Sequence, residues 1–201
     1  MALAMTRPAA DPGLPAMYEE AVAALRRSGD TWSVAFALVP HGDAALLSGD
    51  VAGAVRAHEE ALGLARQLGD EHLVATLLDQ LGLDALMAGD AAGARARLAE
   101  AAALHRAAQD REGLAYCLDG LAGLALLEGD AGIAARLRGA ADALRVALGI
   151  AVWPMLRPLV DQLADGIRDA LGDAAERAAR AEGAAADPWK LLDSGLAVSA
   201  A

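Results

Sequence analysis

Apolar and polar residues alternate with the period of a helix along most of this chain. From Leu14 to Leu148, apolar residues recur every three or four positions, as they do on one face of an amphipathic helix. Every twenty residues a glycine followed by an aspartate interrupts the pattern, at 29–30, 49–50, 69–70, 89–90 and 129–130, and Gln109-Asp110 takes the one slot without glycine. Glycine in the left-handed conformation ends a helix, and an aspartate side chain caps the start of the next one. The sequence therefore predicts a repeat array of short antiparallel helices.

The junctions divide the chain into helix pairs that repeat every forty residues. The predicted fold class is all-α, with helices at 31–47, 51–67, 71–88, 91–108, 111–128 and 131–147. These helices make three repeats, which cover 31–70, 71–110 and 111–149. The other predicted parts are a disordered leader at 1–13, an unpaired helix at 14–28, a degenerate terminal helix pair at 150–186 and a short helix with a tail at 187–201.

Two residues depart from the regular pattern. Pro40 falls inside a predicted helix, where its ring and missing amide proton should produce a kink. Gln109 replaces the glycine of a junction, so we expect strain of about 1 kcal/mol or a reshaped turn at that position.

Composition and charge exclude several classes of protein. The net charge of −11 and the isoelectric point of about 4.7 argue against direct nucleic-acid binding, because phosphate contacts need a basic surface. The N-terminus lacks the apolar core of a signal peptide, and no apolar run approaches the length of a membrane span. Cys117 is the only cysteine, so a disulfide framework is impossible. We expect a soluble, cytoplasmic protein without a membrane partner.

The residue pattern also lacks the elements of catalysis and of metal binding. None of the four histidines is four residues from another, so no histidine pair on one helix face can bind a metal. Lys190 is the only lysine and lies in no glycine-rich loop, which excludes a phosphate-binding loop. Cys117 lies in a leucine-rich helix and is interpreted as a buried apolar residue. We therefore predict a protein that is not an enzyme and has no metal or cofactor.

Small and large residues recur at fixed positions in the repeats. The small positions are Gly42, Gly82 and Ala122 in the first helix of each pair and Ala54, Ala94 and Ala134 in the second, and the large positions are Leu38, Leu78 and Leu118. This pattern resembles the tetratricopeptide repeat, lengthened to forty residues. The segments 134–149 and 163–183 resemble the end of the repeat region in large ATP-dependent LuxR-type and related actinobacterial transcriptional regulators. The resemblance implies an α-solenoid, a right-handed superhelix, whose first helices line a concave groove.

The resemblance also implies a set of groove residues. These are Phe36, Val39, Asp43, Leu46, Thr76, Asp79, Leu83, Leu86, Tyr116, Asp119 and Leu126. The three first helices, at 31–48, 71–88 and 111–128, carry net charges of −1, −3 and −2, whereas the second helices together carry +4. We therefore interpret the groove as an acidic surface for a cationic or mixed polar and apolar peptide. The alternative is that the aspartates only keep an exposed face soluble.

Two functional hypotheses follow. The first is a protein-interaction or signal-sensing module that is part of, or related to, a bacterial transcriptional regulator. The second is a small-molecule effector domain of such a regulator, with the ligand in the groove. In the unpaired helix, Ala21, Val22 and Leu25 have no preceding partner, so we expect either a longer native chain or a homodimer through this helix.

Overall fold

The computed structural model describes residues 13–197 and shows ten helices and no strand in that range. The helices are α1 (Leu14–Ser28), α2 (Thr31–Leu47), α3 (Val51–Leu68), α4 (Glu71–Met87), α5 (Ala91–Ala108), α6 (Arg111–Leu127), α7 (Ala131–Leu148), α8 (Arg157–Leu171), α9 (Asp173–Ala185) and α10 (Pro188–Ala197). The predicted all-α class is confirmed, and the bounds of α2 to α7 agree with the prediction to within one residue. Residues 1–12 of the predicted leader and 198–201 of the predicted tail lie outside the described range.

The Gly-Asp junctions have the predicted structure, a left-handed glycine followed by an aspartate that caps the next helix. The glycines of the Gly-Asp pairs have positive φ, from 69° at Gly69 to 89° at Gly129. The following aspartate accepts a hydrogen bond from the backbone N–H three residues later, as in the Asp70–Leu73 contact of 3.0 Å and the Asp130–Ile133 contact of 2.8 Å. Together these two features close one helix and open the next, so the chain reverses in the same way at every junction.

Gln109 forms the same junction without glycine. Its φ of +52° makes it the only described non-glycine residue in the left-handed region, and its side-chain amide donates a hydrogen bond of 2.8 Å to the carbonyl of Arg106. The turn is therefore not reshaped, and Gln109 adopts a backbone conformation that a side chain disfavours.

The repeats pack through close contacts between the two helices of a pair. A Cβ atom added at Gly42 would lie 2.2 Å from the His58 ring, and one added at Gly82 would lie 2.8 Å from Leu98. The leucines at the large positions, Leu38, Leu78 and Leu118, are fully buried. The predicted small and large positions are therefore the packing surface between α2 and α3, α4 and α5, and α6 and α7. Helix α2 continues through the buried Pro40 to Leu47 as one element.

First and second helices differ in how they meet the next repeat. The first helices are in direct contact, α2 with α4 and α4 with α6. The second helices α3 and α5 are linked by ion pairs between exposed side chains, Arg66–Glu100 and Arg97–Glu59. The first helices thus form one continuous layer. No described helix is long and apolar enough to cross a membrane.

After α7 the chain turns back over the repeats. Met155 contacts Tyr18 of α1, with 3.8 Å between the sulfur and the hydroxyl oxygen. Helix α8 then contacts α6 and α7, α9 packs along α7, and α10 contacts α5, α6 and α7. The predicted terminal pair at 150–186 therefore corresponds to residues 150–156, which we call the crossing segment, followed by α8 and α9.

Helices α7 and α9 approach each other at two glycines. A Cβ atom added at Gly139 would lie 2.1 Å from the carbonyl oxygen of Arg180, and one added at Gly183 would lie 1.9 Å from that of Arg136. Backbone atoms cannot move aside as a flexible side chain can, so both glycines are needed for this contact.

Replacing Gln109 with glycine should stabilise the protein by about 1 kcal/mol, because glycine adopts a positive φ without strain. Urea unfolding followed by circular dichroism measures the free energy of unfolding. The reverse change at the equivalent junction, Gly69→Gln, is the matched control and should destabilise by a similar amount. A loss of stability in Gln109→Gly would contradict the strain argument.

Replacing Gly183 with alanine should destabilise the protein by about 1–3 kcal/mol, because the added methyl group meets the Arg136 backbone. Gly132→Ala is the control, since its nearest atom beyond the helix backbone, a side-chain oxygen of Asp130, lies at an ordinary 3.4 Å. The control should be neutral or slightly stabilising in thermal unfolding. Equal effects of the two substitutions would show that α7 and α9 do not pack this closely.

Candidate binding surface

The structure contains a pocket between the layer of first helices and α8. Its volume is about 240 Å³. Residues of α4 and α6 line one side, namely Asp79, Gln80, Leu83, Leu86, Met87, Tyr116, Asp119, Gly120 and Gly123. The other side is formed by Leu156, Leu159, Val160, Gln162 and Leu163. We call the α4 and α6 side of this pocket the first-helix surface.

Five of the eleven predicted groove residues lie on this surface: Asp79, Leu83, Leu86, Tyr116 and Asp119. Leu46 and Leu126 extend it at either end. Leu46 belongs to a buried cluster against which both Leu83 and Leu159 pack. A side-chain carbon of Leu126 lies 3.1 Å from where a Cβ atom at Gly166 would be. The structure thus brings the predicted leucines together, beneath the chain's own helix α8.

The remaining predicted residues lie elsewhere. Phe36 is 40% exposed and stacks on Trp32, with 5.1 Å between ring centroids. Val39 is half-buried, and its carbonyl is 3.2 Å from the His58 ring nitrogen Nε2. The Thr76 hydroxyl donates a hydrogen bond of 3.1 Å to the carbonyl of His72 in its own helix. These three residues do not line the pocket between α8 and the first helices.

Asp43 belongs to a buried polar cluster around His58. His58 Nδ1 lies 2.7 Å from Asp84 Oδ2, and His58 Nε2 lies 3.7 Å from Asp43 Oδ1. Burial raises the pKa of Asp43 to about 7, and Asp84 adds to this rise while His58 opposes it. Burial alone would lower the pKa of His58, but the hydrogen bond to Asp84 and the charges of Asp43 and Asp84 raise it overall. The cluster therefore favours a charged imidazolium inside the first repeat.

Asp79 takes part in a second cluster of the same kind. Its Oδ2 lies 2.9 Å from His105 Nε2, and His105 Nδ1 lies 3.2 Å from the capping residue Asp110. Burial raises the pKa of Asp79, an effect that His105 partly reverses. Burial lowers the pKa of His105, but Asp79 and Asp110 outweigh it and raise the pKa overall. Asp79 thus connects α4 to α5.

Asp119 is held by two arginines of α7. Its oxygens accept hydrogen bonds from Arg138 and, at 2.5 Å, from Arg145. Arg138 also contacts Asp142 at 3.1 Å, and Asp142 pairs with Arg180 of α9. Burial lowers the pKa of Arg138, but the charges of Asp119 and Asp142 outweigh it and raise the pKa overall. This network joins α6, α7 and α9.

These contacts change the interpretation of the predicted acidic groove. Asp43 and Asp119 are only 2% and 8% exposed, and the Asp79 side chain is 11% exposed. Their charges are directed at histidine and arginine side chains inside the repeats, since an isolated buried carboxylate would be costly. What remains open on the first-helix surface is mainly apolar. Neither an acidic groove nor an exposed soluble face describes these three aspartates.

Tyr116 connects the pocket to the crossing segment. Its hydroxyl accepts a hydrogen bond of 3.2 Å from the backbone N–H of Trp153, and the Arg145 guanidinium lies 5.1 Å from its ring centroid. Burial raises the pKa of Tyr116. These two contacts hold the ring in place where it lines the pocket.

The described residues include no group of three or more histidine, cysteine or acidic side chains arranged for a metal ion. Cys117 is fully buried, and its thiol lies 3.7 Å from the carbonyl of Leu98. Burial raises the pKa of this thiol well above its ordinary value. Cys117 is thus a packing residue with a thiol kept in its protonated form.

Sequence reasoning missed two features of this site. The first is the partners of the aspartates, although a separation of 26 residues recurs in Asp79–His105, Asp119–Arg145 and His58–Asp84. The second is α8, whose apolar residues at 156, 159, 160, 163 and 167 follow a helical spacing. That spacing indicated an apolar face, but it did not indicate which surface the face would cover.

Comparison of the chain with protein-family models, with curated proteins and with solved structures found no match. The resemblance to tetratricopeptide-containing regulators therefore stays an expectation from the residue pattern.

Replacing Asp84 with asparagine should lower the pKa of His58, because the charge and the hydrogen bond that raise it are removed or weakened. Histidine signals in an NMR titration measure this pKa, and that of His105, in a separate cluster, should not change. In the wild type, the stability from His58 protonation is fully present below its ordinary pKa of 6.5 and is lost as pH rises through the raised value. An unchanged His58 pKa in the variant would contradict the assigned contact.

Proposed function

We propose that the chain is a protein-interaction module that binds a segment of another protein on the first-helix surface. The observation that carries the proposal is the apolar pocket of about 240 Å³ bounded by Leu83, Leu86 and Met87. Apolar surface in such a concave site lowers the free energy of the complex when a partner's side chains exclude its water. Helical arrays present surfaces of this kind to partner segments.

We extend this proposal to a protein that is part of, or related to, a bacterial transcriptional regulator, with the module in a sensing or scaffolding role. The support is the residue pattern of the repeats and of the segments 134–149 and 163–183. The net charge of −11 is consistent with contact to protein instead of nucleic acid. A cytoplasmic location belongs to the same proposal.

A second contact surface at α1 supports the proposed homodimer. Trp32 and Phe36 are 48% and 40% exposed and, with Ala21, Ala24 and Leu25, line a pocket of about 360 Å³ at the start of the array. Exposed aromatic residues next to apolar ones are frequent in protein interfaces.

A small-molecule effector is the second candidate for the pocket under α8. The observation that favours it is Asp79, which places a carboxylate among the apolar side chains that line the pocket. A ligand with an apolar body and one cationic group suits such a lining. The volume is below the range of roughly 300–1,000 Å³ of most ligand pockets, so a protein segment remains the better candidate.

The proposed function is tested by panning a displayed library of random peptides on the protein and measuring the selected peptides by fluorescence anisotropy. Met87→Asp should weaken their binding by about tenfold or more, because Met87 lines the pocket and is 44% exposed in the unbound protein. Since Met87 is exposed, the substitution should leave the fold intact.

Val146→Asp is the matched control, because Val146 is an apolar residue of α7 that is 83% exposed and does not line this pocket. It should leave the affinity unchanged. The proposal fails if no peptide is selected, or if the two variants affect the selected peptides equally.

A further inference from the structure

Helix α8 has the composition of a binding helix. Leu159, Val160, Leu163 and Ile167 lie on its inner face at helical spacing, whereas its exposed residues include Arg157, Asp161, Asp165, Arg168 and Asp169. An amphipathic helix that lays its apolar face in a groove is a common mode of protein recognition, with anchors three, four or seven residues apart. In this chain the helix and its groove are parts of the same molecule.

The fit between α8 and the first-helix surface is incomplete. Only Ile167 is buried within α8, and Leu159, Val160 and Leu163 stay half-exposed. The pocket of about 240 Å³ remains between these residues and the leucines of α4. Protein interiors are normally packed without such gaps. The side chains on either side of this gap therefore lack van der Waals contacts that a better-fitting helix would make.

Polar contacts do not fix α8 to the first helices. Among the described residues, the ion pairs of its side chains are Arg168–Asp165, within α8, and Arg168–Asp173, at the start of α9. By contrast, α9 is tied to α7 through Arg180–Asp142 and Arg136–Glu182. Helix α8 is therefore held on the first-helix surface mainly by apolar contacts.

The two ends of α8 are attached differently. Gly172, with a φ of +77°, separates α8 from α9. At the other end, Met155 and Leu156 are buried and Met155 contacts Tyr18, so α8 would leave the surface while tethered through this contact. Helix α10 is anchored independently, since Arg106 pairs with Asp193 at 2.6 Å. Release of α8 would leave α7, α9 and α10 in contact.

We propose that the first-helix surface is a binding site for an amphipathic helix of a partner protein, and that α8 occupies this site until the partner helix displaces it. The partner helix has leucine or isoleucine residues at the spacing of 156, 159, 163 and 167. Its side chains are larger than those of α8 where they fill the pocket. This inference rests on the proposed function and specifies the conformation of the bound segment and its competition with α8.

The probe is a fluorescein-labelled peptide with the sequence of residues 155–172, measured by anisotropy. The wild-type protein should bind the peptide weakly, because α8 covers the first-helix surface in most molecules and only the remaining fraction can bind. Leu163→Asp in the protein should release α8 and increase the affinity by about tenfold or more. The control Asp165→Ala, on the exposed face of α8, should leave the affinity at the wild-type value.

A second measurement keeps the test decisive if Leu163→Asp lowers the stability of the protein. Cys117 is fully buried, so a spin label attached to Asp169→Cys reports on α8 alone. Unlabelled peptide 155–172 should increase the mobility of the label, whereas the same peptide carrying Leu159→Asp and Leu163→Asp should not.

The inference is overturned if the peptide binds the wild type and Leu163→Asp equally, or if it binds without mobilising the label. It is also overturned, with the proposed function intact, if library peptides bind in a Met87-dependent way while α8 stays in place. Failure of both the library peptides and the α8 peptide to bind removes the two proposals together.

Discussion

The constant distance between helix-ending and helix-starting residues is the constraint on which this structure depends. Six aspartates cap α2 to α7, and each is preceded by a residue with positive φ. As a result, the first helices are all 17 residues long and the second helices all 18. Equal lengths keep equivalent positions at the same height in successive repeats. Gly42 and Gly82 can therefore receive His58 and Leu98 in the same way, forty residues apart.

Buried charged side chains add contacts that differ from one repeat to the next. Taking an ion out of water costs several kcal/mol, so each buried aspartate requires a partner at a defined height on the facing helix. Asp79 finds His105, and Asp119 finds Arg145, at the same separation of 26 residues. Because each contact joins atoms at defined positions on two facing helices, sliding one helix along the other would separate the charges. We interpret these clusters as determinants of how the two helices of a pair are aligned.

The sequence predicted that the first-helix surface is a groove for a partner, whereas in the fold the chain's own helix α8 covers it. The residue pattern predicted a surface that includes Leu83, Leu86 and Leu126, and the structure places Leu83 and Leu86 in one pocket and Leu126 next to Gly166 of α8. It also places α8 over them, with a gap that α8 does not fill. The proposed exchange rests on this gap, since a better-fitting helix would gain contact area while α9 and α10 keep their attachments.

The sequence by itself determined the helices, their ends and their pairing, because these depend on local interactions. Capping aspartates, left-handed glycines and apolar spacing act within a few residues, and even the exception at Gln109 was visible as a missing glycine. The partners of Asp43, Asp79 and Asp119 were decided by tertiary structure, because a carboxylate has the same local pattern whether it faces water or a histidine 26 residues away. The position of α8 was also decided there. Its apolar stripe indicates that some surface must be covered. Which surface it covers follows from the course of residues 150–156, where Met155 contacts Tyr18 of α1, far away in the sequence.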